Sequence, residues 1–268
     1  MMPATQPVGD YLREWSQRRR LSQLDLALDA NISTRHLSFM ETGRAQPSRD
    51  MVLRLAERLD IPLRERNALL VSAGYAPLFP ERSLDDPQQR PARKARELML
   101  PGHEPYPALA IDRHCQLVAH NRAVQPLLAG IDPVLLQPPV NVLRLSLHPA
   151  GLAPRIANYA QWRAHLFERL RHQIEVTADP VLVNLFNELS GYPAPETTAM
   201  QLPTEAQDFA GVVVPFQLAT DSGMLSLIRT TTVFGSPVDV TLSEQALETF
   251  FPADAATAET LRQLAAGE

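Results

Sequence analysis

The sequence predicts two domains of different class: an all-α N-terminal domain of five short helices, then an α+β domain with one antiparallel sheet and inserted helices. Three observations predict it. Residues 10–79 break into five helical periods punctuated by small turns. Residues 80–107 carry six prolines around a basic cluster, Arg90 to Arg96. Beyond them lie runs of strand character, two of them joined through Asp221-Ser222-Gly223, a hairpin signal.

The first helix is expected at about Asp10–Arg20. The second, about Ser22–Ala30, takes Ser22 as cap and ends at Asn31, a residue at ease in the left-handed region. The third is Ser33–Thr42, with Ser33 as cap and Gly43 just past its end, where positive φ costs a glycine nothing. The fourth starts at Ser48 and carries Met51, Leu55 and Leu59 at helical spacing. Pro62 suits the first turn of the fifth, and Gly74 ends it. The proline-rich stretch reads as a linker with one short helix, about Ala92–Leu100. Then 108–121 reads as two strands about a turn at Asp112–His114, and 121–190 as mostly helical. Three strand runs follow (209–220, 223–235 and 245–251), and 255–266 closes the chain as a helix. The expected domains are thus 1–79, a linker at 80–106, and 107–268.

Composition narrows the class. With 268 residues and 45% hydrophobic content, the chain can fill two cores. The one cysteine, Cys115, rules out an internal disulfide and suits a reducing compartment. No signal-peptide pattern or membrane-length apolar run is read, so a cytoplasmic protein without a membrane partner is expected. The net charge of −5 hides an asymmetry: residues 1–100 hold 16 Arg/Lys against 13 Asp/Glu, and the remainder 9 against 17. An acidic total does not exclude nucleic acid, which needs only a local basic face.

Two helices joined tightly at Asn31 have the spacing of a helix-turn-helix, with small Ala27 at their crossing and Leu26, Ile32, Leu37 and Met40 between them. At about 100° per residue, Leu37 and Met40 share one side of the third helix. Arg35 and Phe39 fall roughly opposite, with Ser38 beside them and Thr34 at the helix start. In this motif the second helix enters the major groove. Arg35 can then bond a guanine edge and Phe39 can pack on a thymine methyl. Gln23, Ser33 and Arg44 sit at helix ends, where phosphate contacts are usually made. A monomer of this motif buries little area, so a homodimer on a two-fold site in double-stranded DNA is expected.

The stretch SQLDLALDANISTRHLSFMETGRAQPS (22–48) resembles the Cro/C1-type helix-turn-helix of the xenobiotic-response-element class. Together with LRERNALLVSAGYAP (63–77), the form STRHLSFMETGR is similar to the MmyB-like transcription regulators. Further stretches with that likeness are HEPYPALAIDRH (103–114), PPVNVLRLSLHPAGLAPRI (138–156), WRAHLFERLR (162–171), TTVFGSPVDVTL (231–242) and ETFFPADAATAETLR (248–262). The resemblance implies a PAS-like second domain that takes a fatty-acyl or similar apolar ligand in a pocket between sheet and helices, with no other cofactor. One departure stands out. The class often pairs the glutamate corresponding to Glu41 with an arginine where this chain has Ser16, so Glu41 needs another partner, with Arg13 or Arg20 as candidates.

Within the second domain, the helix expected at about 155–176 carries an apolar stripe of Ile156, Tyr159, Ala160, Leu166, Phe167, Leu170 and Ile174. Arg163 projects near its middle with no carboxylate one turn away on its own helix. Two readings stand: an internal or surface arginine, or a cation holding an anionic ligand head. Trp162, Val212, Val214 and Phe216 are candidate walls, with core packing as the alternative for each.

Catalytic patterns are not found. His114 and Cys115 are adjacent and point to opposite sides of an extended chain, so they form no dyad. GxSxG, HExxH and P-loop patterns are absent, and the histidines lack metal-ligand spacing. The expected function is a one-component, non-enzymatic transcription regulator. Its alternatives are a DNA tether whose second half is an enzyme, or a ligand-free dimerisation or interaction module. The linker and its basic cluster are where a ligand-dependent arrangement would be set.

Overall fold

The structure, a computed structural model, describes residues 6–83, 86–195, 213–233 and 239–266. Contacts divide the chain into two units: Met1–Arg82 with Glu175–Ala178 and Pro237–Ser243, and Ser83–Ile174 with Asp179–Ser236 and Glu244–Glu268.

The first unit begins with five helices: α1 (Val8–Arg18), α2 (Gln23–Asp29), α3 (Thr34–Glu41), α4 (Arg49–Arg58) and α5 (Leu63–Ser72). Their ends are set by the local chemistry read from the sequence. The side chains of Ser22, Ser33 and Ser48 accept bonds from the backbone N–H of Asp25, His36 and Met51. Asp25 answers Ser22 with the reciprocal bond of a capping box. Asn31 has φ 55° and Gly43 φ 72°. Leu12, Trp15, Leu26, Leu37, Met40 and Leu55 are buried together, and Ile32 packs half-buried against them. Met51 is only half-buried, whereas Leu55 and Leu59 are fully buried. A Cβ on Gly9 of α1 would lie 2.2 Å from the Glu41 carbonyl oxygen, so α1 crosses the end of α3 at a distance only glycine allows.

In the second unit the helix expected in the linker is longer: α6 runs Arg90–Gly102. It is followed by β1 (Ala108–Ile111), β2 (Leu117–His120), α7 (Val142–Leu147), α8 (Tyr159–Thr177), α9 (Pro180–Ser190), β3 (Phe216–Thr220) and β4 (Gly223–Val233). A one-turn helix, α10 (Val240–Ser243), falls in the first unit. β5 (Ala246–Pro252) and α11 (Ala255–Ala266) complete the second. Several 3-10 turns link β2 to α8. The strands form one antiparallel sheet in the order β2-β1-β5-β4-β3. This is the α+β, PAS-like arrangement expected, and the first unit is the expected all-α helix-turn-helix domain.

Two elements are shorter than the sequence suggests. Of the run 209–220, strand begins only at Phe216. Pro215 has no N–H for the ladder, and its carbonyl accepts from Asn158 Nδ2 instead. Residues 209–212, with Val212, and 234–235 at the end of the next run, lie outside the described residues. The long helix starts at Tyr159 rather than near 155 because the preceding residues are tied to β3: Arg155 Nε donates to the Ala219 carbonyl and Ala157 N to that of Gln217.

One face of the sheet, with Leu218, Leu225 and Leu227, packs on Leu147, Leu166 and Leu182 of the inserted helices. On the other, Ala108, Ala110 and Leu247 meet Leu100 of α6. There too the Ser226 N–H donates to Thr257 Oγ1 of α11.

Candidate nucleic-acid interface and ligand cavity

The turn between α2 and α3 leaves one side of α3 out of the core. Leu37 and Met40 are buried, Thr34 and Arg35 exposed, Ser38 and Phe39 half-buried. Phe39 is thus less projecting than its helical phase implies, but it does not join the packed core. The Arg35 guanidinium lies 5.3 Å from the Phe39 ring centroid and that of Arg44 lies 5.9 Å from it. Arg44 reaches the ring because Gly43 turns the chain back, so that the Arg44 N–H donates to the Phe39 carbonyl at 2.8 Å.

At the helix ends, two of the polar side chains make bonds within the unit. Ser33 Oγ is engaged as the α3 cap. The side-chain amide of Gln23 donates to buried Glu41. Glu41 therefore finds its partner in Gln23 and not in Arg13 or Arg20: Arg13 is paired with Asp10, and the chain turns at Arg20 with φ 54°. Ser16 is buried with its hydroxyl on the Leu12 carbonyl. The structure thus gathers Arg35, Phe39 and Arg44 on one outer surface, while exposed Gln23 engages its amide with Glu41.

In the second unit an apolar cavity of about 90 Å³ lies between sheet and helices. Trp162 and Phe216 of the expected walls, with Leu166 of the apolar stripe, line it. Tyr159 and Phe167 are buried in the same core without lining it, and Val214 packs against that core half-buried. Ala160, placed on the apolar stripe by its spacing, is exposed. Arg163 does not line the cavity. Its Nη2 donates to the Ser190 carbonyl at the end of α9, with the guanidinium 4.7 Å from the Phe167 ring centroid. Arg163 Nη2 thus meets a backbone carbonyl rather than an acid, while its buried Nε has no hydrogen-bond partner.

The cation at the cavity is one that helical periodicity misses, Arg229 of β4. Its side chain is 6% exposed and that of Glu248 on β5 is 5% exposed; both line the cavity and face each other at 3.3 Å. Arg169 of α8, 35% exposed, reaches the same Glu248 oxygen at 3.4 Å. Arg229 also donates to His165 Nε2 at 3.1 Å and lies 5.1 Å from the Trp162 ring centroid. Burial first, then Arg229 and Arg169, hold His165 below the ordinary histidine range, so its ring is neutral and can accept that bond. Trp162 in turn donates to Ser146 Oγ at 2.9 Å. Two guanidinium groups thus share one carboxylate, and among the described residues no other acid pairs with either.

A signal for this cluster exists in the sequence. Period-two alternation along β4 puts Leu225, Leu227 and Arg229 on one face. Register supplies the rest: Arg229 pairs with Phe250, and Glu248, two residues before it, faces Thr231. Diagonal neighbours of this kind lie within reach of long side chains.

Behind the pair is a void of about 20 Å³ lined by Cys115. Burial, reinforced by Glu248, pushes that thiol up to about 12. It carries no thiolate near neutral pH and is not an activated nucleophile. Among the described residues no cluster of three or more His, Cys, Asp or Glu could hold a metal ion, and no helix is long and apolar enough to cross a membrane.

Comparison with known proteins matches both units to known domains. Residues 7–69 match a family model for a helix-turn-helix domain. A putative HTH-type transcriptional regulatory protein of Methanoculleus marisnigri is 35% identical over 117 residues, covering 42% of this chain and 37% of that protein. The chain thus spans well under half the length of that curated relative. A solved structure of an RNA-binding light-oxygen-voltage receptor aligns over 97% of this chain and 63% of its own, at 14% identity and a TM-score of 0.25, and contributes nothing to the assignment. Residues 92–264 match the ligand-binding domain of MmyB-like transcription regulators. The chain carries a helix-turn-helix domain and a ligand-binding domain, and it belongs to the family of MmyB-like transcription regulators.

Proposed function

We propose that the protein is a one-component, non-enzymatic regulator that binds a two-fold operator as a homodimer and senses an apolar acid of fatty-acyl type. The observation that carries the ligand class is a buried cation at the cavity wall whose carboxylate partner is shared: Arg229 and Glu248 edge an otherwise apolar space, and Arg169, outside the cavity, bonds the same Glu248 oxygen. Because Glu248 also serves Arg169, it leaves donor capacity on buried Arg229 that a second anion at the cavity would take up. An acid with a hydrocarbon tail supplies the anion for Arg229 and buries its tail among the leucines and Phe216. The space is smaller than the roughly 150 Å³ of an engineered cavity that takes benzene. Short tails fit directly, and longer ones require the leucine walls to move apart.

Straight-chain acids titrated into the protein should bind more tightly with length, by about fourfold per methylene, from about 0.8 kcal/mol each. Their methyl esters should bind more weakly at every length. Affinity indifferent to chain length would remove the cavity from the ligand's path. Mass spectrometry of the native protein, looking for a co-purified lipid, tests the same reading without a chosen probe.

On the DNA side, Arg35→Ala should cost about 1–3 kcal/mol on a selected duplex and little on random DNA, read at one fixed salt concentration. Equal losses on both would make Arg35 a mere phosphate contact. Saturating acid should shift duplex affinity, since a ligand preferring one state biases it; an unchanged affinity at that salt would mean the chain contains no switch.

A further inference from the structure

We infer that Phe39 and Arg35 act as a single reader of a 5-methylpyrimidine–guanine step, so that thymine and 5-methylcytosine are equivalent at the position before the guanine. This rests on the reading of α3 as the element that enters the major groove. Phe39 is half-buried, outside the helical core, and has guanidinium groups over its ring from Arg35 at 5.3 Å and Arg44 at 5.9 Å. A half-exposed aromatic held against two cations is pre-positioned. The hydrogen bonds of Arg44 and Ala45 N–H to the Phe39 carbonyl fix the backbone beneath it.

The chemistry follows from what the groove displays. Guanine offers O6 and N7, which suit the planar fork of Arg35. The pyrimidine on its 5′ side displays the C5 position beside that pair of acceptors. A methyl there meets the apolar ring; a hydrogen leaves the ring against water. The pyrimidine's exchangeable groups are not what the ring senses, so only the methyl counts. Cytosine and uracil are therefore read as poor, thymine and 5-methylcytosine as good. Arg44 is a positioning residue in this scheme, holding the ring through its guanidinium.

The test uses the full chain and a pool of duplexes with a randomised core, from which the preferred sequence is selected. That duplex is then resynthesised with uracil replacing each thymine in turn, and with cytosine or 5-methylcytosine at the same positions. One thymine 5′ to a guanine in each half-site should lose about fourfold on replacement by uracil, the worth of one buried methyl. At that position 5-methylcytosine should exceed cytosine by a similar factor. Both differences should vanish in Phe39→Ala and survive in part in Phe39→Leu, with thermal melts confirming that each variant is folded. Uracil that is harmless at every position, or a penalty equally large in Phe39→Ala, would overturn the inference. A pool that yields no preferred sequence would instead overturn the groove reading beneath it.

Discussion

Arg229→Met is expected to destabilise the second unit by about 3 kcal/mol, toward the lower end of the roughly 3–5 kcal/mol lost when one partner of a buried ion pair is removed. Glu248 would stay buried at 5% exposure with Arg169 alone beside it, at 3.4 Å from a guanidinium that is itself 35% exposed. That remaining partner is why the lower end applies. A loss of this size is a large part of the 5–15 kcal/mol by which whole domains are stable. The double variant Arg229→Met/Glu248→Met should recover to within about 1 kcal/mol of the parent, because removing both charges removes the burial cost together with the attraction. Urea melts of the parent, both single variants and the double give the coupling directly. The double variant also separates stability from recognition: it should still bind apolar tails but no longer prefer acids over methyl esters. Single and double variants equally unstable would mean that packing, not charge, holds this region.

Gly9→Ala should destabilise the first unit by about 2 kcal/mol or more, against the ordinary trend. Within a helix, glycine to alanine gains about 0.8–1 kcal/mol from propensity. Here the new Cβ would stand 2.2 Å from the Glu41 oxygen, 2.7 Å from its carbon and 2.8 Å from the Met40 oxygen. All three are backbone atoms at the end of α3, which cannot rotate aside as a side chain could. Overpacking in a filled core costs about 1–3 kcal/mol, and a clash with backbone lies at the upper end, so the clash outweighs the propensity. The displacement would fall on the end of α3 where Glu41 meets Gln23, so duplex affinity should drop as well as the melting temperature. A variant as stable as the parent would show that α1 and α3 are not in close contact.

How much of this was legible beforehand varies with the range of the interaction. Helix ends were written locally: Ser22, Ser33 and Ser48 cap because a serine hydroxyl reaches the N–H three residues on. The same locality placed Asn31 and Gly43 at positive φ. Helical phase set Arg35 and Phe39 apart from Leu37 and Met40. It did not show that Gly43 folds Arg44 back over the ring, since that takes the path of the chain after the helix. The partner of Glu41 is not written in its charge: the Gln23 amide comes close only when α2 and α3 cross.

Arg163 and Arg229 show the limit most clearly. Both are arginines among apolar neighbours, one at helical spacing and one at strand spacing. Periodicity points to the first, yet it lies off the cavity, with Nη2 on a carbonyl of α9 and a buried Nε that has no hydrogen-bond partner. For the second, the significance lies in Glu248 and Arg169, 19 and 60 residues away in the chain. The sequence alone determined the two classes of domain, the caps and turns, and the outer side of α3, because each rests on contacts within a turn or two of chain. Only the tertiary structure decided which cation edges the cavity, because a strand's register and a partner across the sheet come from the packing of distant segments, to which no single stretch of residues bears witness.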